Sequence, residues 1–580
     1  MSGTVTIFAR TDVLRNRWAS WRAGRAPVAS GFVSQPEPKS IGLYARGKQL
    51  VSGNILLSGT LVEAPGKSIW DLATPDPGFA QAAHGFAWLD DLAALGDGTA
   101  RARAQGWTWD WIARHGHGTG PGWTPDLTGR RIIRWIHHAL MLLNSRDPVA
   151  HAAYYRSISR QTAFLARRWP AAAPGLPRFE ALTGLIYAGL SLTGMEHHAE
   201  TARTALDAEC SREIDSEGGI PTRNPEELLE VFTLLIWAGQ ALGETGRTPG
   251  AAHLAAIERI APGLRALRHA DGGLARFHGG GRGLEGLLDR ALASSGVKPQ
   301  THPPLAMGFA RLGGGRTTVI VDASSPPLGT ASATAHASTA AFEMTSGRRP
   351  VIVNCGSGVP FGAEWHRAGR ATASHSVLSV DGTSSSRFAA GKRSAETFGE
   401  RARIRTLRQF SGPAGVEIQV THDGWVRTHG LLASRRLLLS HDGRHLTGEE
   451  SLLADTAEHR RRFDLVMTRT GLDGSPVSVR FHIHPDVDAT LDLGGTAVSL
   501  ALKSGEIWVF RHDGVAELSL EPSVYLEKGR IKPRPGRQIV LSRNAVQYDT
   551  RIGWTLAKAQ DTPLAIRDLD RDDFPEPAAR

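Results

Sequence analysis

Hydrophobic and polar positions follow a helical period through the first half of the chain, from about residue 79 to 295. Apolar residues recur at intervals of three and four, which places them on one face of an α-helix. The pattern is clearest in four segments, 79–96, 130–145, 179–194 and 225–244. Helix starts are indicated at Thr128 and where Asn224 precedes Pro225. We expect about seven to nine successive helices, arranged as a bundle, a solenoid or an α/α toroid.

From about residue 305 the pattern changes to short β-rich runs that alternate with turn residues. Asp-Gly pairs, which favour the tight turns of β-hairpins, recur at 381–382, 423–424, 442–443 and 513–514. Many strands without intervening helices predict an antiparallel β-sandwich, with the boundary near 296–305. Nearer the start, the segment 53–72 is typical of either a strand pair or an extended arm.

The length and the cysteine content narrow the class of protein. A chain of 580 residues is too long for one compact core, so two or three domains are expected. Its only two cysteines, Cys210 and Cys355, exclude a disulfide framework and a CxxC zinc site. The first residues lack the apolar segment of a signal peptide, and no apolar run is as long as a membrane span. From the sequence we expect a cytoplasmic protein without a transmembrane segment.

Positive charge is concentrated in one part of the chain. The formal net charge is +10, and residues 101–180 contain twelve arginines but only four acidic residues. Such a surplus attracts anions if it lines one face, and the candidates are an acidic sugar, a nucleic acid or a membrane surface. A solvated basic surface without a ligand is the alternative. Nucleic-acid binding is not predicted, because no compact basic motif or aromatic RNA-binding sheet is recognisable.

Several stretches resemble heparinase II/III-family proteins, which are bacterial and polysaccharide lyase-like. These stretches are TPDLTGRRIIRWIHHALMLL, GGIPTRNPEELLEVFTLL, TAHASTAAFEMTSGRRPVIVNCG, RATASHSVLSVDGTSSSR, THDGW and RFHIHPDV. They extend from about residue 50 to 550, so the resemblance covers most of the chain. It implies cleavage of a uronate-containing polysaccharide by β-elimination, and a location in the periplasm or cell envelope.

The resemblance also implies the domain organisation, which is an α+β multidomain fold. We expect an α/α toroid, an incomplete helical barrel, at 79–300 and an antiparallel β-sandwich at 305–580. Residues 1–78 would form an N-terminal arm. A shared fold does not by itself determine the chemistry, so activity has to be argued from individual residues.

β-Elimination needs a group that neutralises the uronate carboxylate, a base for the C5 proton and an acid for the leaving O4 oxygen. By the resemblance, His137 or His138 meets the carboxylate. A histidine titrates near neutral pH, so we also predict that one of the two is the base. Arg134 and Arg130 lie one and two helical turns before His138, which predicts a cationic stripe that binds substrate. Packing at a helix interface is the alternative.

The stretch GGIPTRNPEELLE departs from the family pattern. In active relatives this loop carries a catalytic Tyr, whereas here no Tyr occurs between Tyr187 and Tyr525. Glu227 takes its place and is predicted to be catalytic if burial raises its pKa. The alternative is that a Glu in the first turn only complements the helix dipole. Arg223 and Asn224 are predicted to bind substrate, because polar loop residues have little role in a core.

His336, Asn354 and His375 resemble the metal triad of the family, with Asn in place of its Asp. A neutral amide is a poor substitute for a carboxylate in a zinc site. We therefore expect a hydrogen-bonded remnant, no cofactor and no tightly bound zinc. Thr334 occupies a position where the family often has a further, catalytic His. Arg370, in the loop AEWHRAGRATASH, is predicted to bind substrate.

Three functions stay open from the sequence. The first is a lyase that acts on an acidic polysaccharide. The second is a glycan-binding or scaffold protein that has lost activity, which the replaced Tyr, Asp and His favour. The third is a glycoside hydrolase on the same fold, in which Glu227 acts with a second carboxylate.

Overall fold

The computed structural model describes residues 3–34, 36–299, 302–389 and 396–561. Within them the chain divides into two compact units. The helical unit comprises residues 1–220, 229–261 and 290–297, and the β unit comprises residues 221–228, 262–289 and 298–580. The described residues of the predicted arm, 1–78, are part of the helical unit by their contacts.

Helices dominate the chain up to residue 294, as the apolar period predicts. They are α1 (Gly3–Ala23), α2 (Tyr44–Ser52), α3 (Pro77–His84), α4 (Trp88–Leu95), α5 (Gly98–His115), α6 (Pro125–His137), α7 (Ala139–Leu143), α8 (Pro148–Arg168), α9 (Leu176–Ser191), α10 (His197–Glu213), α11 (Pro225–Glu244), α12 (Ala251–Ala266) and α13 (Leu287–Ser294). The segment 53–72 contains the antiparallel strand pair β1 (Asn54–Leu57) and β2 (Thr60–Glu63). No described helix is both long and apolar enough to cross a bilayer.

One of the two predicted helix starts is confirmed and the other is wrong. Asn224 caps α11, because its Oδ1 accepts from the backbone N–H groups of Glu226 and Glu227 at 3.0 and 3.2 Å. Thr128 lies inside α6, which begins three residues earlier at Pro125. Proline suits a first helical turn because the N–H that it lacks has no partner in the helix there.

The remainder of the described chain is mostly β-structure. Its strands are β3 (Phe309–Gly314), β4 (Thr317–Asp322), β5 (Phe342–Ser346), β6 (Arg349–Val353), β7 (Leu378–Val380), β8 (Arg387–Phe388), β9 (Phe398–Glu400), β10 (Ile404–Gly412), β11 (Gly415–Trp425), β12 (Leu431–Leu439), β13 (His445–Leu453), β14 (Ser475–Ile483), β15 (Val487–Asp492), β16 (Ala497–Leu502), β17 (Ile507–His512), β18 (Glu517–Tyr525), β19 (Arg534–Ala545) and β20 (Asp549–Gln560). Three helices interrupt them, α14 (Ala363–Gly369), α15 (Val426–His429) and α16 (Ala457–Arg469).

Two large antiparallel sheets form the β unit. One has the strand order β10-β11-β12-β13-β20-β17-β16-β15, and the other has the order β18-β19-β14-β6-β5-β4-β3, with β7 also paired to β14. Aromatic rings from the two sheets meet in the core. Phe342 stacks on Trp554 at 5.9 Å between ring centroids, and Phe481 lies 4.9 Å from Phe510. The predicted antiparallel sandwich is therefore confirmed.

The Asp-Gly pairs form turns at only two of the four predicted places. The pair at 442–443 joins β12 to β13, and the pair at 381–382 closes a tight turn between Val380 and Thr383. The pair at 423–424 lies within β11, where the pairing with β12 shifts its register. The pair at 513–514 connects β17 to β18, which belong to different sheets. Such a dipeptide favours a local bend, but the sheet pairing decides whether the bend becomes a hairpin.

Candidate functional site

Arg130 of the predicted cationic stripe is paired with a buried acid. Helices α6 and α9 approach closely where Gly129 meets Gly184, since a β-carbon on either would overlap backbone of the other helix. This approach brings Arg130 Nε within 2.5 Å of Glu180 Oε1. Burial raises the pKa of Glu180, and the nearby Arg130 opposes that rise. The charge of Arg130 is therefore largely offset within the helical unit.

Arg134 and His138 converge on a second buried acid, Asp90. The carboxylate accepts from Arg134 Nε at 2.9 Å and from Ser40 Oγ at 2.8 Å, and it lies 2.9 Å from His138 Nε2. Burial favours the neutral acid, but Arg134 and His138 together outweigh it and lower the pKa of Asp90 to about 2. The structure thus brings two predicted site residues together around a counter-ion that lies 44 residues before Arg134.

His137 has a different environment from its neighbour. Its side chain is buried at the end of α6, with edge-to-face contacts to Tyr187 at 5.0 Å and Trp237 at 5.5 Å. Neither ring nitrogen has a hydrogen-bond partner among the described residues. Burial lowers the pKa of His137 to about 3, so the ring is neutral at pH 7 and is a weak base.

Tyr154, on α8, lies in the interior of the helical unit. Its ring is fully buried, and its hydroxyl donates to the backbone oxygen of Trp135 at 2.8 Å. Burial raises its pKa well above the ordinary value. Tyr154 is therefore a core residue of the helical unit, which is the commoner role of a Tyr at helical spacing.

The loop that precedes α11 belongs to the β unit. Glu227 is half-buried, and burial raises its pKa. Glu226 accepts from the backbone N–H of Gly281 at 2.7 Å and pairs with Lys528. Asn224 caps the helix through Oδ1, which accepts both cap bonds. The cap does not use its amide nitrogen, which can donate to a further partner.

Arg223 is committed to the interior of the β unit. Its guanidinium donates to the backbone oxygens of Met307, Gly308 and Ser325 at 2.9, 3.1 and 2.9 Å, and to Asp322 Oδ1 at 2.7 Å. The backbone of Arg223 has a φ of +51°, which lies in the left-handed region and is strained for a residue other than glycine. The polar contacts of its guanidinium stabilise this conformation. Binding of substrate by this guanidinium would break a buried ion pair.

Arg370 is likewise turned inward. The guanidinium donates to the backbone oxygens of Ala335 at 2.8 Å, Ser332 at 2.7 Å and Glu396 at 2.8 Å. These bonds hold the loop that leads into His336. In this arrangement Arg370 acts as a positioning residue.

Three histidines form a connected chain in the β unit, and one of them, His278, is not predicted from the sequence. We call His278, His336 and His375 the histidine chain. His375 Nδ1 lies 2.8 Å from the backbone oxygen of Ala371, His336 Nδ1 lies 3.0 Å from His375 Nε2, and the backbone N–H of His336 donates to His278 Nδ1 at 3.1 Å. Beyond them, Asp322 Oδ2 lies 3.5 Å from His278 Nε2.

The contacts of the histidine chain determine where its protons lie. A carbonyl only accepts, so His375 carries its proton on Nδ1 and accepts at Nε2. His336 must then donate from Nδ1, which leaves the lone pair of its neutral ring on Nε2. Burial lowers the pKa of His375 to about 4 and that of His336 well below its ordinary value, so both are neutral at pH 7.

Three consecutive glycines link the histidine chain to the loop before α11. Gly279 packs on Thr334, a β-carbon at Gly280 would overlap the side chain of Asn224, and Gly281 donates to Glu226. In the sequence, a His followed by three glycines is a signal for such a close backbone approach, and this signal could have identified His278.

Comparison with known proteins identifies relatives of this chain. A family model for the C-terminal region of heparinase II/III-like proteins matches residues 298–555. The chain is 31% identical over 548 residues to FtsZ-localized protein C of Caulobacter vibrioides (strain NA1000 / CB15N), covering 92% of this chain and 91% of that protein. This chain belongs to the heparinase II/III-like family.

Solved structures agree with the family in fold. The crystal structure of heparinase III matches with a TM-score of 0.68 at 12% identity, covering 93% of this chain and 89% of that chain. Heparan sulfate lyase HepC from Pedobacter heparinus matches with a TM-score of 0.56 at 13% identity, covering 96% and 89%. The predicted architecture, a helical toroid followed by a β-sandwich, is that of this family.

The residues at the family's metal position do not fit a zinc ion. Asn354 Oδ1 accepts from the backbone N–H of Ser376 at 3.0 Å, and Asn354 Nδ2 lies 3.4 Å from Glu343 Oε1. Asn354 therefore gives His336 and His375 no anionic third ligand for a metal. The described residues contain no group of three His, Cys, Asp or Glu side chains suited to a metal.

Proposed function

We propose that this protein binds an acidic, uronate-containing polysaccharide and cleaves it by β-elimination, with His336 as the base. The observation that carries the proposal is the tautomer of His336, whose Nδ1 is engaged by His375. Its Nε2 therefore offers a lone pair on a ring that is unprotonated at pH 7, although burial lowers its pKa and makes it a weak base. The family and the lyase fold of its structural neighbours support the reaction class.

In the proposed step three bonds break, namely C5–H, C4–O4 and the acidic O–H of Glu227, and three form, namely N–H on His336, the second C4–C5 bond and O4–H. The C5–H bond breaks and its proton moves to His336 Nε2. The electron pair forms the C4–C5 double bond, and the C4–O4 bond breaks. Glu227 replaces the missing Tyr as the acid that protonates O4, since burial favours its protonated form.

A weak base such as His336 needs an acidified C5 proton, which requires a partner for the uronate carboxylate. Among the predicted ligands we assign this role to Asn224, and the free use of its amide nitrogen, which the helix cap does not engage, supports the assignment. We assign Arg130 and Arg134 no role in this step, because Glu180 and Asp90 already offset their charges. His137 and His138 are assigned no proton transfer.

The test is a panel of acidic polysaccharides incubated with the full chain. A lyase produces an unsaturated uronate that absorbs in the near ultraviolet, and the rate of that absorbance is the measurement. His336→Gln should lower turnover by about two to four orders of magnitude. His445→Gln, which alters an exposed histidine, is the matched control and should change nothing.

Three further readings decide between outcomes. Asn224→Ser keeps an N-cap but removes the amide donor, so it should raise KM without loss of stability. Full activity of His336→Gln, with loss in His137→Gln, would return the base to the helical unit. New reducing ends without absorbance would identify a glycoside hydrolase.

A non-catalytic scaffold is the second candidate. Two observations favour it, the replacement of the family Tyr by Glu227 and of a family His by Thr334. A curated relative that this chain matches almost end to end is named for localisation with FtsZ. Binding of an acidic glycan without turnover, together with a fluorescent fusion that follows FtsZ, would support this candidate. The same fusion would test the cytoplasmic location predicted from the sequence.

A further inference from the structure

Helix α1 has large apolar side chains on its outside in its second half, residues 11–23, where its side chains are described. In this half Ala19, Ser20 and Ala23 are buried, whereas Leu14, Trp18 and Trp21 are exposed by 63%, 57% and 55%. A helix that only packs on a core shows the opposite distribution. Packing within this chain therefore does not account for the two tryptophans.

The exposed residues share one face of α1. Leu14, Trp18 and Trp21 are spaced by four and three residues, so they form one stripe along the helix. Contacts on the opposite side hold α1 in this rotation. Arg168 Nε donates to Asn16 Oδ1 at 2.7 Å, and Arg160 Nε donates to the backbone oxygen of Ser20 at 3.2 Å. Both arginines belong to α8 of the same unit.

Arginines flank this stripe on both sides. The exposed members are Arg15, Arg17, Arg22 and Arg25. Arg22 lies over the Trp18 ring at 4.8 Å, and Arg25 lies over the Trp21 ring at 3.6 Å. The acid in this stretch, Asp12, pairs with Arg168 at 3.2 Å and lies 3.9 Å from Arg15. The surface therefore combines aromatic rings with more positive than negative charge.

We infer that the outer face of α1 docks on an anionic membrane surface. Tryptophan is favoured where hydrocarbon meets headgroups, and an arginine beside it reaches the phosphates while its stem stays near the apolar layer. A helix of this kind lies in the plane of the interface. Anionic lipid supplies the negative counter-charge for Arg22 and Arg25.

A protein partner fits this surface less well. A stable protein interface needs roughly 800 Å² and about 20–30 residues on each side. The stripe offers three apolar side chains on one helix, with cations interleaved between them. A bilayer imposes no such minimum, because each side chain partitions on its own.

The test is co-flotation of the full chain with vesicles of phosphatidylglycerol and phosphatidylethanolamine in equal parts. We expect binding that weakens with added salt and is absent on phosphatidylcholine vesicles. Trp18→Ser with Trp21→Ser, and separately Arg22→Gln with Arg25→Gln, should each lower affinity at least about tenfold. All four side chains are exposed, so the melting temperature should stay unchanged.

Matched controls remove the same chemistry elsewhere. Tyr44→Ser removes another aromatic side chain, which is 60% exposed, and Arg290→Gln with Lys298→Gln removes two exposed charges. Both should bind vesicles as the unaltered chain does. The inference is wrong if the unaltered chain does not float with anionic vesicles, or if the tryptophan variant floats equally well. Loss of binding to purified FtsZ in that variant, without any vesicle binding, would identify a protein-docking surface instead.

Discussion

The helical unit and the β unit treat their predicted ligand-binding residues in different ways. In the helical unit, Arg130 and Arg134 are matched with the buried carboxylates of Glu180 and Asp90. In the β unit, the histidine chain consists of neutral rings whose protons are placed by carbonyl and imidazole acceptors. One region is a set of ion pairs and the other is a set of oriented neutral donors and acceptors.

This difference determines where a substrate can react without first breaking an existing ion pair. A glycan carboxylate that binds Arg130 must compete with Glu180 at 2.5 Å, so much of the attraction is already satisfied. A proton that reaches His336 Nε2 meets an available lone pair. An excess of arginine in a sequence therefore measures positive charge, but it does not measure the charge left for a ligand.

The largest expected effect tests the β unit. Asp322→Asn leaves the Arg223 guanidinium buried without its anionic partner, because that side chain accepts from Arg223 at 2.7 Å. We expect a loss of about 3–5 kcal/mol in the free energy of unfolding. Urea denaturation measures it, with Asp12→Asn at an exposed ion pair as the control. A loss below about 1 kcal/mol would mean that the pair is no more than a surface ion pair.

The next effect tests the helical unit through pH. The pKa of His137 is lowered to about 3 in the folded chain, below an unfolded value near 6.5, so the unfolded state binds the extra proton. Stability is therefore lost as pH falls below about 6.5. Between pH 7 and 4, the unaltered chain should lose about 3 kcal/mol more than His137→Asn. Equal losses in the two proteins would show that His137 is solvated.

The smallest effect concerns the counter-ion of Arg134. The pKa of Asp90 is lowered to about 2 from an unfolded value near 3.8, so its contribution is present above about pH 4 and lost as pH falls towards 2. Asp90→Asn should lower the free energy of unfolding, measured by urea denaturation, by about 2 kcal/mol at neutral pH. The difference from the unaltered chain should shrink in acid. A difference that does not change with pH would indicate a packing defect.

The fold was largely predictable from local patterns, whereas the site was predictable only in part. Helical periodicity and β-rich runs depend on neighbouring residues, and so does the capping of α11 by Asn224. The partners of the site residues lie far from them in the sequence, since Glu180 follows Arg130 by 50 residues and His278 precedes His336 by 58. Local patterns therefore do not predict these partners. Helix α1 was missed for another reason, because its large apolar residues do not face the core.

The glycine segment 279–281 also limits how this family member can change. It touches Asn224 on one side and Thr334 on the other, and His278 directly before it accepts from the backbone of His336. Glycan recognition and proton transfer in the proposed site therefore share one stretch of main chain. A substitution that moves this segment would alter both glycan recognition and proton transfer, so the two properties must evolve together.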